Sequence, residues 1–152
     1  MSAEARNRGL WWAVIGAGVV VGGWLLLNVW WLNQPVSLPS IDEPIPILND
    51  NREIAIGEPI RMLLRVDKPQ DIEAERTSRS IICESGNLVT LTESTQDVPA
   101  GSFTAVADNV NLPNKVDVGD TCQFRYNVDY RINPIRTDEV EWLSEPFTVV
   151  ER

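Results

Sequence analysis

The chain has 152 residues, 43% of them apolar, with 22 acidic against 13 basic side chains, no histidine and a formal charge of −9. That balance argues against a nucleic-acid partner, because phosphate backbones select Lys/Arg surfaces and repel a negative one. Without histidine the usual general base, the commonest metal ligand and every Ser-His or Cys-His nucleophile pair are gone, and two cysteines do not make a four-cysteine zinc site.

The apolar residues are unevenly placed. After a short tail over residues 1–9, Leu10 to Leu32 is a run of 23 residues with no charged side chain and one strongly polar one, Asn28. As a helix this run reaches about 34 Å, enough to cross a hydrocarbon core of roughly 30 Å. Trp11 and Trp12 at one end, and Trp30 and Trp31 at the other, match two headgroup belts, and only Trp24 falls inside the span. A cleaved secretory signal would have a shorter apolar region followed by small residues, whereas Asn33-Gln34-Pro35 follows here. The reading is an uncleaved signal anchor in a single-pass membrane protein. Arg6 and Arg8 before the span, against Asp42 and Glu43 after it, predict a cytoplasmic N-terminus and a periplasmic or extracellular C-terminal region, in an inner or plasma membrane.

Glycines 16, 18 and 22 spell G-x-G-x-x-x-G, but a phosphate-binding loop must follow a strand in water, and these lie inside an apolar span. Gly18 and Gly22, with Ala13 and Ala17 on an overlapping face, have the spacing of a self-associating membrane helix. The competing reading is that glycine is simply frequent in such helices.

Residues 33–50 hold Pro35, Pro39, Pro44 and Pro46 with no helical or strand period, predicting an extended linker. A competing reading docks Ile41, Ile45, Ile47 and Leu48 as a first edge strand. From residue 51 to 152 the period becomes two. Ile60, Met62, Leu64 and Val66 alternate after the turn Gly57-Glu58-Pro59, and Cys122, Phe124, Tyr126, Val128, Tyr130 and Ile132 alternate without interruption. Further strands are expected at Glu53–Ile56, Arg79–Glu84, Leu88–Thr92, Ser102–Ala107, Glu139–Leu143 and Phe147–Val150, and a helical turn only at Asp71–Thr77.

Short strands joined by polar turns predict an all-β ectodomain, an antiparallel two-sheet sandwich. The order of Gly57-Glu58-Pro59-Ile60-Arg61-Met62, the long strand after Gly119-Asp120 and the closing Trp142 to Val149 segment resembles an immunoglobulin-like or fibronectin-III-like domain over roughly residues 52–150. The resemblance implies a fold alone and makes 79–84 the sheet neighbour of 120–132. It departs from antibody domains in having no Cys on the first long strand. Cys83 and Cys122 both fall on inward phases, and outside the cytoplasm the natural reading is a disulfide, two buried thiols being the alternative.

Chemistry-bearing groups are sparse. Lys68 and Lys115 lie beside turn residues and read as solvated surface. Asp138, Glu139 and Glu141 lack an evident apolar pocket to raise a pKa. Asp108, Asn109, Asn111, Asp117 and Asp120 cluster as calcium ligands do, without the twelve-residue loop spacing, and Asn and Asp are also turn formers. The sequence therefore predicts no enzyme, no metal and no cofactor. It predicts a membrane-anchored interaction protein that presents its sandwich to a protein partner outside the cytoplasm and self-associates, if at all, through its helix. The alternative is a structural component of an envelope, secretion or phage or virion membrane assembly.

Overall fold

The computed structural model describes residues 3–91 and 99–151, with side chains from Trp11 onward. It divides into two compact units. The first holds a single helix, α1 (Ala3–Leu32), the residues after it to Val36, and the turn Asn133–Arg136. In α1 the stretch Trp11–Leu32 is long and apolar enough to cross a membrane, and Trp11, Trp12, Trp24 and Trp30 are all exposed. Four glycines would weaken such a helix in water by about 1 kcal/mol each relative to alanine, a cost that membrane helices tolerate. Asn28 meets its own hydrogen-bonding need inside the helix, donating from Nδ2 to the Trp24 carbonyl at 2.7 Å. The backbone is already helical from Ala3, through most of the tail expected at residues 1–9. The side chains of Arg6 and Arg8, expected to set orientation, lie outside the described residues.

The second unit is all-β and begins at Ser37. Its strands are β1 (Ser40–Ile41), β2 (Glu53–Ala55), β3 (Pro59–Lys68), β4 (Ala74–Cys83), β5 (Leu88–Thr90), β6 (Gly101–Asn111), β7 (Thr121–Asn133), β8 (Arg136–Leu143) and β9 (Phe147–Val150). Two sheets form, one in the order β1-β3-β6 and one in the order β2-β9-β7-β4-β5, with β8 also paired to β7. The pairing of β2 with β9 is parallel, whereas β1–β3, β3–β6, β4–β5, β4–β7 and β7–β9 are antiparallel. Inward phases supply the core: Ile60 and Met62 from β3, Ile81 from β4, Phe124 and Val128 from β7, Trp142 from β8, and Phe147 and Val149 from β9.

Three expectations change. Beyond Ser37 the proline-rich segment follows the competing reading and docks on the β unit rather than running as an extended linker. Ile41 pairs with Val66, Ile47 bridges Met62, and Ile45, fully buried, bridges Ser144. The prolines permit this because the donors required belong to their neighbours. Ile45 N donates to the Leu143 carbonyl at 2.9 Å, and the Pro46 carbonyl accepts from Leu63 N at 3.0 Å. Glu145 secures the segment further, its Oε2 accepting from Ile47 N at 3.2 Å and its Oε1 pairing with Arg52 at 2.9 Å. The expected helical turn at Asp71–Thr77 is instead the entry to β4, which a register irregularity between Ala74 and Arg76 fits to β7. Several strands extend past their expected bounds, β6 to Asn111 and β8 back to Arg136, while β5 ends at Thr90, and Thr92 lies outside the described residues.

Candidate interaction surface

Strand β6 is the longest of the strands that end the two sheets among the described residues, the others being β1, β2 and β5. On one side it runs antiparallel to β3, with Leu64 opposite Ala105 and Val66 opposite Phe103. On the other, among the described residues, it has no strand neighbour. A register irregularity between Ile60 and Met62 gives β6 an extra residue opposite that step, leaving 101–107 as the regular stretch of edge. Inward positions on this stretch are filled by small or half-buried side chains, Phe103, Ala105 and Ala107, so the space between the sheets stays open along it. The result is a groove of about 340 Å³ whose apolar lining includes Leu64, Val66, Phe103, Tyr126, Tyr130 and Trp142.

The groove is not purely apolar. Lys68, expected on the surface, is 2% exposed. It continues the inward phase of Ile60, Met62, Leu64 and Val66, and its Nζ lies 3.8 Å from Asp71 Oδ1. Arg79, opposite Tyr126 in the β4–β7 register, also lines the groove. Burial pushes the Tyr126 hydroxyl above its ordinary value of 10.0, opposed by a hydrogen bond with Thr77 and by the Arg79 charge. The Tyr126 ring stacks on Trp142 with centroids 5.8 Å apart.

The two cysteines are brought together. Cys83 and Cys122 face each other in the β4–β7 register, 4.0 Å apart at Cα, and are joined as a disulfide within one sheet. At that end of the unit two of the suggested calcium ligands are engaged as turn ties. Asp120 accepts from the Ser85 hydroxyl, and Asp117 from Asn87 Nδ2 at 2.9 Å. Among the described residues, Cys83, Cys122 and Asp120 form the one close group of three acid or thiol side chains, and the disulfide consumes both sulfurs. Asp108 and Asn109 lie instead on β6 at the groove. On the outer face, Glu139 accepts from Asn127 at 3.0 Å and Glu141 pairs with Arg125 at 3.6 Å, while Lys115 is exposed. Ala13, Ala17, Gly18 and Gly22 follow one another along α1 with open space around both glycines.

Sequence reasoning assigned no role to the β6 edge or the groove. The signal present was compositional: residues 101–107 contain Gly, Ser, Thr and two Ala and no Lys, Arg or Pro, the residues that commonly protect an edge. Comparison with protein-family models and with curated protein sequences finds no match for this chain.

Proposed function

We propose that the chain is a membrane-anchored, non-enzymatic interaction protein. Its Ig-like β-sandwich stands on the periplasmic or extracellular side of an inner or plasma membrane and engages a protein partner by strand addition at β6. The observation that carries this reading is the β6 edge, which has no strand neighbour among the described residues and lies beside an apolar groove. An incoming extended segment would gain main-chain hydrogen bonds from residues 101–107, and its alternate side chains would enter the space lined by Phe103, Leu64 and Tyr126. The parallel β2–β9 pair and the passage of the chain from one sheet at β5 to the other at β6 support the Ig-like assignment. The largely apolar lining favours a partner strand that presents apolar side chains to the groove.

The test is site-specific photo-crosslinking in native membranes from Val106, which is 52% exposed on β6. A single discrete protein adduct, lost on Val106→Lys, supports the reading. Adducts to many components of one particle transfer the chain to the structural-assembly reading, and no protein adduct from any position between 102 and 106 overturns both.

A further inference from the structure

The last turn of a helix leaves four carbonyls without helical partners, and at a membrane boundary such groups are costly to leave bare. In α1 the first of these needs is met locally: Asn33 N reaches the Val29 and Trp30 carbonyls at 3.2 Å, and Asn33 Nδ2 reaches Val29 at 2.7 Å. The next are met from a turn far away in sequence. Asn133 Nδ2 donates to the Trp31 carbonyl at 2.9 Å, and Arg136 Nη1 donates to the carbonyls of Leu32 at 3.2 Å and Gln34 at 3.1 Å. The Asn133 side chain also shapes the turn, its Oδ1 accepting from Ile135 N at 3.1 Å. No charged residue occurs between Arg8 and Asp42, and the last turn of α1 has no basic side chain. Arg136 therefore supplies the cation that the negative end of the helix dipole favours.

We infer that the turn Asn133-Pro134-Ile135-Arg136 is a second membrane-contacting element, seated in the phospholipid headgroup layer at the outer end of α1. The inference rests on α1 spanning the bilayer. Trp30 and Trp31 then lie at the interface, and a turn hydrogen-bonded to the Trp31 and Leu32 carbonyls lies at the same depth. Its composition fits that layer: Pro134 is exposed, Ile135 is 44% exposed, and the turn carries one cation and no acid in a strongly acidic chain. An apolar side chain beside an arginine is the chemistry of interfacial anchoring, the first entering the acyl boundary and the second lying at the level of the phosphates.

Because both native cysteines are bonded to each other, a cysteine introduced at Ile135 is the only free thiol. The full chain carrying Ile135→Cys, labelled with a fluorophore and reconstituted in phosphatidylcholine–phosphatidylglycerol vesicles, should be quenched by a headgroup spin-labelled lipid about as strongly as a label at Leu32→Cys. Adding Asn133→Ala and Arg136→Gln should make the Ile135 label several-fold more accessible to aqueous iodide and leave the Leu32 label unchanged, with retention of the Cys83–Cys122 bond as the check on folding. A Leu32 label quenched by lipid beside an Ile135 label that is open to iodide and untouched by the spin label would overturn the inference while sparing the span. If neither label is quenched by lipid, the span itself fails and the inference with it.

Discussion

Ile45 offers a measurement of whether the proline-rich segment belongs to the β unit. Its side chain is fully buried, and the backbone on either side is held by the bond from Ile45 N to the Leu143 carbonyl, 2.9 Å, and by Glu145 N to the Ile45 carbonyl, 2.8 Å. Because this backbone is fixed, the site collapses poorly around a truncated side chain. Ile45→Ala should therefore fall in the middle or upper part of the usual range, about 3–4 kcal/mol. Leu48, three residues on and 37% exposed, is the internal control, at about 1 kcal/mol or less for Leu48→Ala. The fragment 37–152 suits the assay because it contains a single tryptophan, Trp142, which is 4% exposed and reports unfolding by fluorescence. With a urea m-value of about 2 kcal/mol/M, Ile45→Ala should lower the midpoint by about 1.5 M or more. Two variants that both stay within about 0.5 kcal/mol of the parent would mean that the segment is the free linker its prolines suggest.

Loss of the disulfide in a Cys83→Ser, Cys122→Ser variant should cost about 4 kcal/mol on the chain-entropy model, for a sequence separation of 39, read by the same denaturation. The Tyr126 hydroxyl, pushed up by burial, should ionise at higher pH than a free tyrosine, seen as a late phenolate absorbance that Tyr126→Phe removes. A folded-state value above the unfolded one means the contribution to stability is intact below pH of about 10 and is lost as pH rises through the folded value, so Tyr126→Phe should weaken the alkaline decline. Gly18→Leu should leave insertion of α1 intact and reduce crosslinking between copies in membranes, and crosslinking that does not change would leave the glycines as composition alone.

Much of the β architecture was readable because its signals are local. In β7 the alternation from Cys122 to Tyr130 has one phase throughout, so its buried face and the inward cysteine followed together, while the pairing with 79–84 was implied only by the resemblance to an immunoglobulin-like domain. Strand β9 matched its expected bounds for the same reason. The failures occur where the decisive partner is distant. Whether a proline forbids pairing depends on which neighbouring donor the facing strand requires, and for Ile45 that is set by Leu143, almost a hundred residues away. The start of β4 reads as helical because the irregularity at Ala74–Arg76 breaks its period of two, and the 13-residue length of β7 is what draws those residues into the sheet. Lys68 was misread from its neighbour Pro69, when the phase of β3 already assigned it inward. A free edge leaves only a weak local signature, here the lack of Lys, Arg and Pro over 101–107, since it is defined by which strands lie beside it.

The β6 edge carries a further consequence in solution. Its regular stretch, 101–107, has neither Lys nor Pro, and the exposed Val106 and Thr104 offer no charge against a second copy. Such an edge templates pairing with any extended chain, including itself, and natural proteins ordinarily blunt it. The irregularity near Ile60 and the single charge of Asp108 protect one end only. When a membrane anchor limits how copies meet, the exposure is tolerable. Separated from α1, fragment 37–152 should associate as its concentration rises, measured by sedimentation, and Val106→Lys should return it to the monomer with little change in stability, because the position is 52% exposed. A fragment that stays monomeric at high concentration without the lysine would mean that the edge does not accept a strand, and the proposed mode of partner binding would lose its basis.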